Sequence, residues 1–106
     1  MDNFIVVIST INDYNKGKEI ARKLVEDKLA ACVNIIPKVS SVYSWQGEIC
    51  EDDECLMVMK TKGDLFEPLK DNLIKLHPYK VPEIISFRIK DGNKSYLEWI
   101  NNSVID

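Results

Sequence analysis

The stretch from residue 28 to residue 49, KLAACVNIIPKVSSVYSWQGEI, most constrains what this chain can fold into. It is too long and too regular for a loop, and its alternation predicts a β-ribbon. Pro37 has no N–H to donate to a strand ladder, so we expect a bulge or a change of pairing partner there. The dipeptide Gln46-Gly47 predicts a hairpin turn, because glycine takes a positive φ without steric cost.

The predicted hairpin is longer than a minimal sheet requires, so its tip should overhang with Tyr43 and Trp45 half exposed. An overhanging apolar ribbon indicates an interface, and we expect both aromatic residues to pack across a subunit boundary rather than to stack on a ligand. The return strand begins at Glu48, and the acidic residues 51–54 should interrupt it as a solvated bulge. A hard-cation site in that run is the alternative, although the spacing of a calcium loop is missing.

The remaining elements follow from hydrophobic periodicity and from capping residues. We predict strands at residues 4–11 and 83–90, and helices at residues 16–29 and 95–104. A further helix should begin at Asp64, with Glu67 completing a capping box and Pro68 tolerated in the first turn. The order β-α-β-β-α-β followed by a short helix predicts an α+β, ferredoxin-like fold with a long extended central hairpin.

Each predicted helix carries an apolar stripe that should face inward. The stripes are Ile20, Leu24 and Val25 in the first helix, Phe66, Leu69, Leu73 and Leu76 in the second, and Tyr96, Leu97, Ile100 and Val104 in the third.

Chain length, net charge and the length of the apolar runs narrow the class of protein. A chain of 106 residues corresponds to one domain, over residues 1–106. Its net charge of −3 argues against a nucleic-acid partner and against binding to an anionic membrane. No apolar run reaches the roughly 18 residues of a membrane helix. The opening MDNFIVV has no basic n-region, so we expect no signal peptide and a cytoplasmic location.

The three cysteines are Cys32, Cys50 and Cys55, an odd number without a CxxC pair. We expect free thiols in a reducing compartment, with a disulfide between Cys50 and Cys55 as the less favoured alternative. Cys32 has apolar neighbours, which predicts a small buried side chain rather than a metal ligand or a redox thiol.

The motifs LAACVNIIPKVSSVYSWQGEI and KLHPYKVPEIISFRI resemble the CutA1 family, the divalent-cation tolerance proteins. The resemblance covers essentially the whole chain in order, from FIVVIST through YLEWI. It implies a ferredoxin-like protomer similar to PII signal proteins. It also implies a homotrimer in which the long hairpins extend the sheets of neighbouring subunits.

The resemblance also bears on metal binding. Family members that bind copper are thought to use a cysteine near the end of the first strand and a tandem histidine pair before Pro-Tyr. On this chain those positions are Ser9, Leu76 and His77, so only one of the three ligands is retained. A serine hydroxyl is a poor substitute for a thiolate. We therefore assign no cofactor, and copper or another divalent metal is the candidate.

His77 is the only histidine, and its competing interpretation is structural. A histidine just past a helix C-terminus interacts favourably with the helix dipole and its free carbonyl groups. With one histidine and no nucleophile motif, we predict no catalytic residues and no enzymatic activity.

A second functional hypothesis concerns an anion. Four basic residues would line a cleft between subunits, as in PII-like proteins that bind nucleotides: Lys60, Lys62, Lys80 and Arg88. No glycine-rich phosphate loop supports this cleft. The leading hypothesis is a homotrimeric CutA1-like protein of metal-ion homeostasis. A PII-like sensor of a small anionic ligand is the alternative, and an interaction trimer without a ligand is a third.

Overall fold

A computed structural model describes residues 3–106 of the chain. Met1 and Asp2, on which the expectation about a signal peptide partly depends, lie outside the described residues. The elements in order are β1 (Phe4–Ile11), α1 (Tyr14–Glu26), β2 (Cys32–Trp45), β3 (Glu48–Lys62), α2 (Phe66–Leu76), β4 (Ile85–Arg88) and α3 (Lys94–Ser103). A 3-10 turn at Gly63–Leu65 precedes α2. Within residues 3–106, no helix has the length and apolar character needed to cross a membrane.

The four strands form one antiparallel sheet in the order β2-β3-β1-β4. This order confirms the ferredoxin-like α+β prediction. It also leaves β2 and β4 as the two edges of the sheet, each with one row of unpaired backbone groups.

The two faces of the sheet differ in what covers them. Ile5, Val7 and Ile11 of β1 pack into a core with side chains of α1, α2 and β3. The opposite face, which we call the open sheet face, carries Val6, Ile8, Leu56, Val58, Ile85 and Phe87. Helix α3 covers one end of that face, where Phe4 packs with Ile100 and Val104. The side chains farther along the open sheet face are only half buried or are exposed, and Phe87 is 52% exposed.

The central hairpin forms as predicted at its turn. Both turn residues are left-handed, with φ of 50° at Gln46 and 80° at Gly47, which matches the twist of the strands they join. The register shifts between Ile36 and Val39, so the bulge expected at Pro37 is confirmed. The thiol of Cys55 donates a hydrogen bond to the Pro37 carbonyl oxygen at 3.2 Å, which fixes the bulge to the partner strand.

The prediction that residues 51–54 interrupt the return strand is wrong. β3 is continuous, and Glu54 pairs with Val39 while Glu51 pairs with Val42. The extra residue of the bulge lies on β2, so the acidic strand keeps its register and needs no bulge of its own.

Several details of the helices also differ from expectation. Helix α1 ends at Glu26 rather than Leu29 because Lys28 takes a left-handed φ of 60°. Val25, which was predicted to lie in the inward stripe, is exposed. Asp64 lies in the 3-10 turn and does not cap α2, and Glu67 pairs instead with Lys70 at 2.7 Å.

Three further expectations need correction. β4 has four residues, Ile85–Arg88, because the prolines before it keep the preceding segment out of the ladder. Tyr96 is exposed on α3 rather than buried. The buried thiol is Cys55 instead of Cys32, whose side chain is on the open sheet face and only half buried. All three thiols are free.

Candidate functional site

A groove of about 790 Å³ lies between the overhanging hairpin and the segment 77–84, which we call the connector. Its walls include three aromatic rings and several carboxylates. The aromatic-acid groove, as we name it, is defined by Tyr43, Trp45, Asp52, Glu54, Tyr79 and Glu83. Its size is within the range of sites that bind small molecules.

The connector is held against the sheet by His77, the residue that follows α2. The Nε2 atom of His77 lies 2.7 Å from the carbonyl oxygen of Thr10 at the end of β1. The backbone N–H of Tyr79 donates to Nδ1 of the same ring at 3.1 Å. The rings of His77 and Tyr79 also meet edge to face, with centroids 4.6 Å apart. These contacts fix where Tyr79 enters the groove.

Two tyrosine–carboxylate pairs organise the groove. The Tyr79 hydroxyl donates to Glu54 at 2.5 Å, and the Tyr43 hydroxyl donates to Asp52. Burial, together with the bond to Glu54, raises the pKa of Tyr79. The bond to Asp52 is the main cause that raises the pKa of Tyr43 to about 12. Both phenols are therefore neutral donors near pH 7, and both carboxylates are held as acceptors.

The hydrogen bonds of His77 define its protonation state. Since Nδ1 accepts from Tyr79, the proton of the neutral ring lies on Nε2 and is donated to Thr10. Burial is the main cause that lowers the pKa of His77, opposed by the Thr10 carbonyl and by Glu54. A metal at either nitrogen would have to displace one of these bonds. The ring positions the connector because it bonds to β1 and to Tyr79, while the backbone N–H of His77 closes α2 by donating to the Leu73 carbonyl oxygen.

The other two positions implied for copper do not complete a site. The Ser9 hydroxyl is fully buried and has no hydrogen-bond partner among the described residues. Leu76 packs against the apolar core. Across residues 3–106, no three side chains of histidine, cysteine, aspartate or glutamate come close enough together to hold a metal ion. This donor set does not fit copper, which prefers imidazole and thiolate ligands.

The four basic residues of the predicted anion cleft do not converge within the chain. Lys62 is opposite Phe4 at the start of β1 and pairs with Asp106 at 3.7 Å. Lys60 donates to Asn34 on the open sheet face. Arg88 is opposite Ile5, so its side chain points to the other face. Lys80 lines the groove, which Thr10 at the far end of β1 also lines. A cleft shared by the four basic residues therefore stays a prediction about an assembly.

Tyr43 and Trp45 are half exposed on one face of the hairpin, as the alternation predicted. Their packing across a subunit boundary stays a prediction. Sequence reasoning missed Tyr79 and Glu83 as walls of the same groove. Pro78 and Pro82 directly precede these two residues and stiffen the connector. They were the available sequence signal that the connector forms a wall of the groove.

Comparison with known proteins gives one consistent result. A family model described as "CutA1 divalent ion tolerance protein" matches residues 5–103. The chain is 46% identical over 98 residues to the divalent-cation tolerance protein CutA of Thermus thermophilus, covering 92% of this chain and 95% of that one. It is also 46% identical over 99 residues to a chloroplastic CutA protein of Arabidopsis thaliana, covering 93% of this chain and 54% of that longer protein.

Solved structures agree with this similarity. The CutA1 structure from Thermus thermophilus superposes with a TM-score of 0.93 at 44% identity, covering 95% of this chain and 98% of that chain. The CutA1 structure from Oryza sativa superposes with a TM-score of 0.95 at 42% identity, covering 98% of this chain and 95% of that chain.

Proposed function

The chain belongs to the CutA1 divalent ion tolerance family, and from this premise we propose that it acts as a homotrimer in the response to divalent metal ions, without enzymatic activity. The observation that carries the trimer is the open sheet face. Ile85 and Phe87 are about half exposed there, beside half-buried Val6, Ile8 and Val58. A contiguous apolar surface of this kind marks an interface.

The free edges suggest how copies would join. Ile89 N–H donates to the Phe4 carbonyl oxygen, so in the antiparallel ladder Phe87 also points its backbone groups to β1. The N–H groups of Ser86 and Arg88 therefore point outward. Pairing of this edge with β2 of a neighbour is a heterologous contact, and such a contact forms a ring when the rotation between copies closes. We propose three subunits because that is the number the CutA1 resemblance implies.

Two features support a role without catalysis. General-base chemistry requires a titratable group within reach of a nucleophile. Both nitrogens of His77 are already engaged by Thr10 and Tyr79. The Cys55 thiol is buried, and burial raises its pKa, which makes it a poor nucleophile.

We place the protein in the cytoplasm, since three free thiols suit a reducing compartment. The names of similar proteins give different cellular locations. The Arabidopsis protein is called chloroplastic, and the similar structure from Archaeoglobus fulgidus is called periplasmic.

The assembly is tested by a matched pair of variants at Ser86, measured by light scattering coupled to size exclusion. Ser86→Pro removes one outward N–H and leaves the bonds to β1 intact, a change that an edge strand tolerates. Ser86→Ala keeps the N–H. We expect Ser86→Ala to remain trimeric and Ser86→Pro to dissociate to folded monomer at low concentration. Equal trimers from both variants would contradict pairing through β4.

Metal binding is tested by titration of Cu²⁺ into the parent protein and into His77→Gln. Glutamine is a poor ligand for copper but can replace the hydrogen bonds to Thr10 and Tyr79. Because a metal must displace one of those bonds, we expect weak binding that the variant loses. Binding that is tight and unchanged in His77→Gln would place the metal elsewhere.

A further inference from the structure

The bulge in β2 divides the central hairpin into two parts. On one side of it, β3 pairs both with β2 and with β1, whose last residue, Ile11, is opposite Cys55. On the other side lies the part that we call the overhang, residues 39–54, where β1 has ended and β2 and β3 pair with each other. Because a two-stranded ribbon is marginally stable alone, the direction of the overhang depends on the contacts at its base.

The backbone of the bulge has fewer hydrogen-bond donors than a regular part of the ladder. Two residues of β2, Pro37 and Lys38, lie opposite the single residue Cys55 of β3. Pairing is disrupted locally where two residues face one. Proline has no N–H, so Lys38 is the only one of the two with a backbone donor. A side-chain donor at this point therefore has more effect than it would beside an intact ladder.

The thiol of Cys55 is such a donor. It donates to the Pro37 carbonyl oxygen at 3.2 Å, and Cys55 is only 3% exposed, so water does not compete for the bond. Burial is the main cause that raises the pKa of this thiol, and the carboxylates of Asp13 and Glu54 raise it further. The thiol therefore keeps its proton and stays a donor near pH 7.

A second side-chain contact at the bulge is of a different kind. Lys38 pairs with Asp53 at 3.6 Å, and the two side chains are 73% and 63% exposed. An ion pair this exposed is weak, because water and salt screen it. It provides a matched control, since it joins the same two strands beside the thiol contact.

From these contacts we propose that the bulge is a hinge of the overhang, and that the Cys55 thiol is the latch that fixes the direction of the overhang against the sheet. The latch joins a side chain in the core to the first residue of the bulge. It is formed within one chain and does not require an assembly. Its consequence, that the overhang is held in the direction a neighbouring subunit needs, rests on the proposed function.

The experiment compares Cys55→Ser with Cys55→Ala by hydrogen exchange and mass spectrometry on the full chain at equal protein concentration. The two variants differ by one hydroxyl group, so the comparison separates the donor from the volume of the sulfur. We expect Cys55→Ala to exchange about five-fold faster than Cys55→Ser across residues 39–54, the effect of one hydrogen bond on local opening. Lys38→Gln should change this exchange by less than about two-fold.

A second measurement leaves the latch intact. In a Cys32→Ser, Cys50→Ser background, Cys55 is the only cysteine, so the Raman S–H stretching band reports on its thiol alone. We expect a single band at lower frequency than that of a free thiol, because donation to a carbonyl oxygen weakens the S–H bond. This result does not depend on how well a Cys55 variant folds.

Two results would overturn the latch. One is equal exchange of residues 39–54 in Cys55→Ser and Cys55→Ala, with a difference confined to β1, which would show that the thiol adds to global stability only. The other is an S–H band at the position of a free thiol. The molar mass of each protein is measured alongside. A monomeric parent protein would contradict the proposed function and leave the latch standing, so the two failures are distinguishable.

Discussion

The imidazole of His77 donates to the backbone carbonyl oxygen of Thr10 at 2.7 Å, across 67 residues of sequence. This bond ties the end of α2 to the end of β1. The other nitrogen of the ring accepts from the N–H of Tyr79, so the same side chain sets where the connector begins. The position of Tyr79 in the groove, and its bond to Glu54, depend on the neutral form of His77.

This arrangement predicts a pH dependence of stability. Burial lowers the pKa of His77 in the folded chain, so below the unfolded value of about 6.5 the unfolded chain binds a proton that the folded chain resists. The stabilisation is complete above that pH and is lost as the pH falls toward the folded pKa. Urea unfolding at about pH 7.5 and about pH 5.5 should show this loss.

The control is His77→Gln, which cannot titrate. We expect it to be less stable than the parent at the higher pH and to lose less on acidification, at equal protein concentration. Parallel losses in the two proteins would assign the acid sensitivity to carboxylates instead.

Removal of each of two buried hydroxyl groups should change the free energy of unfolding, with opposite signs at the two positions. Ser9 has no hydrogen-bond partner among the described residues, whereas Thr61 donates to the Leu29 carbonyl oxygen at 2.7 Å. Ser9→Ala should stabilise the fold by about 1 kcal/mol because an unsatisfied buried group is removed. Thr61→Val should destabilise it by about 1 kcal/mol because the carbonyl loses its donor. Denaturant unfolding of both variants checks this, and the same sign for both would refute the bonding pattern.

The left-handed residue after α1 predicts a stabilising substitution. Lys28 has φ of 60°, where a side chain is strained and glycine is not. Its carbonyl oxygen accepts from Ile105 N–H at 3.0 Å, a backbone bond that any residue keeps. Lys28→Gly should therefore raise the free energy of unfolding by about 1 kcal/mol. Lys28→Ala removes the same charge but keeps the strain, so a gain with alanine equal to that with glycine would point to charge.

The sequence predicted the elements whose signals are local. β1 was predicted with its observed bounds because Phe4–Ile11 is a continuous β-branched run between turn signals. The hairpin turn followed from Gly47, and the bulge followed from Pro37. Each of these depends on one or a few neighbouring residues.

The features that the sequence did not predict depend on contacts between distant segments of the chain. The continuity of β3 through its acidic residues depends on where the extra residue of the bulge lies, and that is set by pairing with β2. Burial of Cys55 rather than Cys32 depends on which sheet face the helices cover. The groove joins the hairpin to a connector that lies about 30 residues later in the sequence, so periodicity could not bring Tyr79 to Glu54.

The most direct test of the account is the molar mass of the unmodified protein in dilute solution, by light scattering coupled to size exclusion. The open sheet face and the two free edges predict that copies associate, and the homotrimer that the CutA1 resemblance implies would have three times the mass of the 12.2 kDa chain. They also predict that it persists at high salt, because apolar burial and backbone pairing are not screened. A folded monomer with the mass of one chain would contradict the assembly on which the proposed function depends.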